Sequence, residues 1–477
     1  MKYIFGIILI FQQTFSFAQV IVEEQEKSVE VLTFKEYLGY VKQFHPVVRQ
    51  AGLKLRIGEA ELLKARGGFD PKIEVDYDRK QFKGTEYYDI LNSTFKIPTW
   101  YGIELKASFD QNQGEYLNPE RTIPQEGLFS AGVSVDVGRG MLINDRMAAL
   151  RSARAFRNQS IAEREFLVNQ IIYEASLAYF DWLEVYNEMK IFENFLVNAR
   201  ERYKGVSTNA RLGEIAAIDT VEAGISVQNR TLELEQARVN LMKQRLDLST
   251  YLWLENNVPV ELQTNVIPDI NLAQNVDDAL DLPEDAMLNF TIEKHPKLRA
   301  LEFKRRGLEI DRKLKANRLL PEVNLQYNFI TPKPETFQYF NYDDYKAGVR
   351  ISFPLFLRKE RGEFKIADFK VQDAVFEIEL NEIKIENKLQ AVAGELESFK
   401  FQNKIAEEMV ENYRLLLSAE ERRMSFGESS LFLINTRETK YIEALLKRNE
   451  LLIKFLNAKA RLFQTLGTIP SESLVVE

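Results

Sequence analysis

Short segments of the chain alternate between apolar and polar residues, the pattern of a β-strand with one apolar and one polar face. Four such segments are 71–82, 128–138, 321–331 and 344–354. In the first, Ile73, Val75 and Tyr77 alternate with charged residues. Strands of about ten residues with this pattern suit a barrel with lipid outside and water inside. A soluble sheet with one solvated face has the same pattern, so the strands alone leave both possibilities open.

The first half of the chain carries further alternation between its two strand segments. Residues 85–111 contain "YYDILNSTF" and "TWYGIELKASFD", and in the latter Ile103 and Leu105 alternate with polar residues. An added hairpin here predicts six strands per chain instead of four, and an ordered extracellular loop is the alternative. In the hairpin interpretation, Trp100 and Tyr101 are interfacial anchors of an aromatic belt.

Two long stretches have the three-four spacing of apolar residues that is typical of coiled coils. The predicted helices, each long helix followed by a returning one, are 142–205 with 214–254 and 358–425 with 428–466. A helix of about 64 residues is on the order of 95 Å long, which exceeds a compact domain. Gly213 and Gly427 separate the helices of each pair, because glycine accommodates a helix end. Two antiparallel helical hairpins are therefore predicted.

The only two histidines begin similar segments, "HPVVRQAGLK" from His45 and "HPKLRALEFK" from His295. The match continues to Tyr77 and Tyr327, and "AGVSV" and "AGVRI" follow in the same order, which indicates an internal duplication. Because proline fits the first turn of a helix, both histidines are predicted to lie at helix starts. The predicted units are repeat 1 at 19–255, an equatorial linker at 256–284, repeat 2 at 285–467 and a C-terminal tail at 468–477.

Composition narrows the class of protein. The 477 residues carry a net charge of -8, which argues against nucleic-acid binding, and the absence of cysteine excludes disulfides and thiolate metal sites. Residues 1–18 have the charged start, apolar stretch and small residues of a secretory signal peptide. No later apolar run is long enough for a transmembrane helix, so we expect strands to span any membrane. No nucleotide-binding loop or catalytic motif is evident, and we expect a non-enzyme without cofactor or metal.

The ordered set of features resembles the TolC-type outer-membrane efflux family. The shared features are the duplicated "HP" helix openings, a proline before the first strand of each half, "FPLF" from Phe353, and a glycine turn before each returning helix. The first half departs by having "VDVGRG" where the second has "FPLF", and by its longer strand region. The resemblance implies an α+β membrane protein: a homotrimer whose strands build one outer-membrane β-barrel, continued by a coiled-coil tunnel.

The function that the resemblance implies is a passive exit duct of a tripartite efflux system in the outer membrane of a Gram-negative bacterium, with the helices in the periplasm. A periplasmic adaptor protein and an inner-membrane pump are the implied partners. Type I protein secretion and metal-ion export remain alternatives, and a secreted periplasmic coiled-coil scaffold is a rival from another class. Because four strands leave open edges in lipid, several chains must share a barrel of 12 or, with the hairpin, 18 strands.

The resemblance places adaptor docking at the turns between the paired helices. The docking residues it indicates are Asn209, Arg211, Leu212, Gly213, Glu214, Ser425, Phe426, Gly427, Glu428 and Ser429. Charged residues before the second turn are candidates for a periplasmic gate, since threefold symmetry turns an inward carboxylate into a ring. The gate candidates are Glu407, Glu408, Glu411, Glu420, Glu421, Arg414, Arg422 and Arg423. Ordinary solvated turns and wet helix faces are the alternative for both sets.

Overall fold

A computed structural model describes residues 29–333, 335 and 343–468 of the chain. The expected signal peptide at 1–18 and residues 469–477 of the expected tail lie outside the described residues. The α-helices are α1 (Phe34–Phe44), α2 (Pro46–Arg66), α3 (Arg139–Leu142), α4 (Asp145–Leu212), α5 (Ala217–Ser249), α6 (Leu272–Leu280), α7 (Pro296–Asn317), α8 (Arg358–Ser425) and α9 (Leu431–Leu466). Over the described ranges, no helix combines the length and the apolarity needed to cross a membrane.

Six strands form one antiparallel sheet in the order β10-β9-β5-β4-β3-β2. These strands are β2 (Lys72–Phe82), β3 (Thr85–Pro98), β4 (Ile103–Gln113), β5 (Leu128–Asp136), β9 (Glu322–Thr331) and β10 (Tyr345–Ser352). The region that the sequence left open between a hairpin and a loop therefore forms β3 and β4. Lys83 and Gly84, both with positive φ, make the two-residue turn between β2 and β3, as tight hairpins favour.

The sheet has one polar and one apolar face. Directly opposed residues share a face, and in every strand pair an even-numbered residue opposes an even-numbered one through most of the ladder. Even positions on the polar face include Glu74, Asp76, Lys96, Lys106, Ser130, Ser134, Asn324, Asn328, Lys346 and Arg350. Odd positions on the apolar face include Ile73, Val75, Phe95, Leu105, Phe109, Val133, Val135, Leu325, Phe329, Val349 and Ile351. The alternation seen in the sequence is thus kept in register across all six strands.

The two longest helices, α4 and α8, each contain 68 residues and run the length of the helical part. At about 1.5 Å per residue, each is about 100 Å long. Near the sheet, α2 and α7 pack against α4, and α7 also packs against α8. Farther from the sheet, α5 packs against α4, and α9 packs against both α4 and α8. The lateral order is therefore α2–α4–α7–α8 in the half next to the sheet and α5–α4–α9–α8 in the half next to the helix tips.

The largest buried core lies midway along the molecule, where α1 and α6 pack with α4 and α9. Tyr179 is fully buried there, and its hydroxyl donates to the Leu32 carbonyl at 2.6 Å and accepts from the Asp269 N–H at 3.0 Å. Trp182, buried in the same core, packs edge-on against Tyr179. A buried tyrosine with a satisfied hydroxyl fixes its neighbours. Tyr179 therefore fastens the middle segment to α4.

The predicted linker at 256–284 contains regular structure. The short strands of this region and its neighbours are β1 (Glu30–Leu32), β6 (Trp253–Leu254), β7 (Val258–Pro259) and β8 (Val266–Pro268). β1 pairs with β8 in parallel and β6 with β7 antiparallel. Leu272, Val276 and Leu280 of α6 are buried in the same core. The segment is thus a small unit packed on the long helices, not an irregular connection.

Several helix boundaries differ from the predicted ones. The predicted helix 142–205 continues to Leu212, because Gly205 is accommodated inside the helix at a cost of about 1 kcal/mol relative to alanine. It begins at Asp145, since the Asn144 side chain caps it by accepting from the Met147 N–H at 2.8 Å. The returning helices, predicted at 214–254 and 428–466, begin three residues later because each turn takes three further residues. The first of them also ends at Ser249 instead of 254, since Trp253 and Leu254 form β6. The strands predicted at 128–138 and 344–354 end at Asp136 and Ser352.

Both histidines lie at helix starts. The Nδ1 atoms of His45 and His295 accept hydrogen bonds at 3.2 Å from the backbone N–H groups of Val47 and Lys297. Burial, helped by the charges of Lys388 and Lys297, lowers the pKa of His295 to about 4, and burial also lowers the pKa of His45 against the opposing effect of Glu174. A neutral ring is the form that can accept the capping hydrogen bond. The two residues are therefore structural caps.

Candidate gate and docking site at the helix tips

The first tip turn joins α4 to α5 through Gly213. Gly213 has a φ of +79°, a conformation that favours glycine, and its N–H donates to the Ala210 carbonyl at 3.1 Å. The Glu214 N–H donates to the Asn209 carbonyl at 3.0 Å, which completes a Schellman-type helix end. Leu212, directly before the glycine, is 68% exposed. The first tip thus combines a fixed backbone with an exposed apolar side chain.

The second tip turn joins α8 to α9 through Gly427, whose φ is +76°. Phe426 precedes it and is 78% exposed. The carboxylate of Glu420 is buried just behind this turn, where it accepts from the Ser429 hydroxyl at 2.5 Å and lies 3.5 Å from the Arg423 guanidinium. Burial of a charge is tolerated only when it is paired and hydrogen-bonded. Glu420 therefore holds the second turn together from inside.

A buried ion pair joins the two helical hairpins near the tips. Arg202 of α4 donates two hydrogen bonds to Glu438 of α9, Nη1 to Oε2 at 2.9 Å and Nη2 to Oε1 at 3.1 Å. Glu438 is 1% exposed, and the Arg202 guanidinium also donates to the Asn435 side chain at 3.3 Å. Glu421 of α8 lies 4.0 Å from the same guanidinium. A two-point guanidinium–carboxylate contact has both strength and geometric specificity.

Further polar contacts extend this junction to α5. The Asn435 amide donates to the Glu222 carboxylate at 3.1 Å, and Arg230 of α5 donates to the Thr439 hydroxyl at 3.2 Å. Arg230 is also buried and pairs with Glu233. We call Arg202, Glu438, Asn435, Glu222, Arg230 and Thr439 the tip network. It connects the first hairpin to α9 of the second, so the hairpins separate only if buried polar contacts break.

Farther from the tips, α4 carries half-buried carboxylates at Asp181, Glu184 and Glu188. Burial, together with the charges of Glu188, Asp181 and Glu450, raises the pKa of Glu184 to about 7. Burial also raises the pKa values of Asp181 and Glu188. Because the three residues follow helical spacing, they form one acidic stripe along α4. Asn187 beside them donates to the Asn449 side chain at 2.9 Å and so adds a further polar link between α4 and α9.

Comparison with solved structures identifies the fold. The chain aligns with the Campylobacter jejuni CmeC outer membrane channel at 12% identity and TM-score 0.63, over 91% of this chain and 85% of that one. It aligns with the Neisseria gonorrhoeae MtrE outer membrane channel, solved in an open state, at 14% identity and TM-score 0.64, over 91% and 88%. It aligns with the Vibrio cholerae outer membrane protein VceC at 12% and TM-score 0.63, over 91% and 96%.

The chain has the TolC-type channel fold. The resemblance inferred from the sequence is therefore confirmed at the level of the fold. No family model and no curated protein sequence matches the chain.

Within this TolC-type fold, the predicted docking residues lie at the two tip turns. The predicted gate candidates have different surroundings. Glu420 is buried, and Glu421 borders the tip network through Arg202. Glu411 pairs with Arg414 at 2.7 Å on an exposed helix face, the arrangement of an ordinary wet surface. The remaining candidates, all exposed, are Glu407, Glu408, Arg422 and Arg423.

Sequence reasoning missed the residues at the centre of the tip network. Arg202 and Glu438 are 236 residues apart in sequence, and each is one charge among many on a long helix. Pairing the predicted rods by their apolar seams would bring α4 and α9 together. A charged residue within such a seam is the only signal in the sequence that points to a buried pair.

Proposed function

We propose that three copies of this chain form a passive exit duct through the outer membrane, the number of copies being the one that the TolC-type resemblance implies. The observation that carries the proposal is the two-faced sheet whose outer strands, β2 and β10, each pair with a neighbouring strand on one side only in the described part of the chain. Unpaired strand edges are not tolerated in lipid, so the sheet closes with copies of itself. Its apolar face then meets lipid and its polar face lines water.

The helices support the same assembly, because one lateral edge of the helical part has an exposed apolar seam. The seam residues on α2 and α5 follow three-four spacing: Leu53, Ile57, Leu63, Ile218, Val221, Ile225, Leu232, Val239, Met242 and Leu246. Leu232 is 70% exposed. A row of apolar residues with this period packs against another helix in water.

The opposite lateral edge, formed by α8, has a matching seam. Its residues are Ile366, Phe369, Phe376, Leu380, Ile383, Phe401, Ile405, Met409 and Leu416. The edge with β2, α2 and α5 therefore differs from the edge with β10 and α8, and each lacks a partner in one protomer. Two different complementary edges make a head-to-tail contact, which closes into a ring when the rotation between copies is a whole fraction of a turn.

The tips are the docking site of a periplasmic adaptor in this proposal, and an inner-membrane pump supplies the energy. Exposed apolar side chains at both turns support docking, since they rest on backbones fixed by Gly213 and Gly427. The exposed tip residues are Leu212, Ile218, Phe426 and Phe432. The tip network holds the hairpins close together, so opening of the duct requires separation of Arg202 from Glu438.

The test is reconstitution of the purified full-length chain in planar bilayers, with the oligomeric mass measured in the same detergent. The proposal predicts discrete conductance steps and a mass of three chains. A chain that is extracted without detergent, remains monomeric and produces no conductance contradicts the duct and supports a scaffold. Adaptor docking is tested separately by capture of a purified adaptor on the wild-type chain and on a Leu212→Ser/Phe426→Ser variant.

A further inference from the structure

The two outer strands of the sheet have complementary charges on the polar face. β2 carries Asp76 and Asp78, and β10 carries Lys346 and Arg350. None of these four side chains makes an ion pair within 4.0 Å across residues 29–333, 335 and 343–468. Both strands are exposed at every position, whereas β3 and β5 are mostly half-buried. These four residues thus expose opposite charges that have no ion-pair partner in the described part of the chain, whereas Glu74 on β2 already pairs with Lys96.

We propose that β10 of one copy pairs with β2 of the next in one defined register, with Lys346 opposite Asp78 and Arg350 opposite Glu74. The occupant of the free edge is a second copy of this chain, and this inference rests on the proposed function. Every neighbouring pair in the sheet is antiparallel, so β10 runs opposite to β2. A copy rotated about a common axis therefore presents β2 antiparallel to β10, as a continuous ladder needs.

The apolar and polar faces of the sheet limit the possible registers of β10 against β2 to those that differ by an even number of residues. An odd offset would place the apolar residues of one copy on the polar face of the next, because successive side chains alternate between faces. Ile351 and Val349 must therefore continue the row of Ile73 and Val75. The pairing with Lys346 opposite Asp78 satisfies this condition and also brings the ends of the strands level, with Ser352 opposite Lys72.

The stagger of the sheet selects the register independently of charge. Directly opposed residues lead from Lys72 at the start of β2 across the sheet to Lys346 near the start of β10; the intermediate residues are Lys96, Lys106, Gly132 and Asn328. With Asp78 of the next copy opposite Lys346, the row of directly opposed residues that starts at Lys72 returns to β2 six residues farther along the strand after crossing six strands. At about 3.4 Å per residue and 4.8 Å per strand, the strand tilt is about 35°.

The neighbouring even registers fit less well. A shift in one direction places Lys346 opposite Asp76 and Arg350 opposite Lys72, and the climb of four residues gives a tilt of about 25°, below the usual range of about 35–45°. A shift in the other direction gives a tilt of about 43°, within that range, and places Arg350 opposite Asp76, but it also places Lys346 opposite Lys80. Like charges directly opposite each other are destabilising. Only the proposed register satisfies tilt and charge together.

Disulfide trapping in the full-length chain tests the register, and the natural absence of cysteine removes background. The double variant Asp76→Cys/Gly348→Cys places two thiols directly opposite each other and keeps all four proposed charge partners. Opposed Cβ atoms about 4.5–5.5 Å apart are close to bridging distance, whereas diagonal ones about 7–8 Å apart are not. Mild oxidation in lipid vesicles should convert most chains into disulfide-linked trimers on non-reducing gels.

Three double variants, each of which has one cysteine in common with Asp76→Cys/Gly348→Cys, serve as controls. Glu74→Cys/Gly348→Cys and Asp78→Cys/Gly348→Cys report the two shifted registers, and Asp76→Cys/Val349→Cys places the thiols on opposite faces. We expect each control to cross-link at least fivefold less than Asp76→Cys/Gly348→Cys. The highest yield from a shifted pair overturns the register.

If no cysteine variant cross-links while the wild-type protein is trimeric and conducts ions, the inference is overturned and the duct stays intact. A wild-type protein that is monomeric and silent overturns the duct itself. A cross-linked product that stops at dimers indicates pairing of two identical edges and likewise contradicts the register.

Discussion

The two ends of the molecule treat charge in opposite ways. At the sheet, Asp78 and Lys346 lie on free strand edges and have no ion-pair partner within the described part of their own chain. At the helix tips, Arg202 and Glu438 are joined by two hydrogen bonds, and Glu438 is 1% exposed. The charges at the sheet edge therefore lack an ion-pair partner within the described part of one chain, whereas the Arg202–Glu438 pair at the tips is complete within one chain.

This difference separates assembly from gating. Charges on the strand edges can select the neighbouring copy, because they remain available until two copies meet. Charges in the tip network act within one chain, so their strength does not depend on whether the ring has formed. Substitutions at the two ends should therefore change different measurements.

Arg202→Met should produce the largest effect, because it leaves the buried carboxylate of Glu438 without its partner. Breaking a buried pair from one side costs about 3–5 kcal/mol. Hydrogen exchange of α4 and α9 near the tips should show local opening that is easier by that amount. The double variant Arg202→Met/Glu438→Met should recover most of it, and a double variant as unstable as the single one contradicts a buried ion pair.

His295, between the two ends, is kept neutral by burial and has no opposite charge as a partner among the described residues. Its folded pKa of about 4 lies below the ordinary value near 6.5, so the unfolded chain binds the proton more readily. Stability should fall as the pH drops from about 6.5 to 4, by on the order of 3 kcal/mol. Asparagine also caps helices. A His295→Asn variant should therefore fold at neutral pH and lose this part of the acid dependence in thermal unfolding; an unchanged acid profile contradicts the assignment.

Reversing a charge on the sheet edge should affect assembly and leave the tips unchanged. Lys346→Asp places an acid opposite Asp78 and should weaken each contact between copies by about 1 kcal/mol. Trimers should dissociate at a lower temperature on semi-native gels, and Asp78→Lys/Lys346→Asp should restore the wild-type behaviour. If hydrogen exchange at the tips changes in parallel with trimer stability, the two ends are not independent.

Glu420→Gln should have a smaller effect, confined to the gate. The amide keeps the contact with Ser429 but loses the attraction of Arg423, so the second turn should loosen and the open probability in planar bilayers should rise. Glu408→Gln on the exposed face of the same helix is the matched control and should change stability by less than about 0.5 kcal/mol. Equal conductance changes in both variants would assign the effect to general surface charge.

Much of the fold follows from patterns along the chain. The alternation around Ile73 and Val349 is strong, and both strands form. The sequence did not decide between a hairpin and a loop for β3 and β4. Asp89 and Ser93 interrupt the apolar face of β3, which weakens the alternation of apolar and polar residues. The helix end at Leu212 was missed because a glycine inside a helix resembles a helix end in sequence.

The tip site was less accessible to sequence reasoning for a physical reason. The burial of Glu420 and Glu438 depends on which faces of the four helices α4, α5, α8 and α9 meet. That is set by contacts between residues far apart in sequence. Glu408 and Glu411 belong to the same charged run as Glu420 but lie on the exposed face. A run of charges shows that a helix is polar, and only the neighbouring helices decide which of the charges are buried.

Electron cryomicroscopy of the detergent-purified full-length chain counts copies and strands together and so shows whether the sheet closes with copies of itself. Our account predicts a ring of three chains with eighteen antiparallel strands around an aqueous lumen, with β10 of each copy beside β2 of the next. A particle in which the outer strands of one chain pair with each other, or in which β2 meets β2, would contradict it.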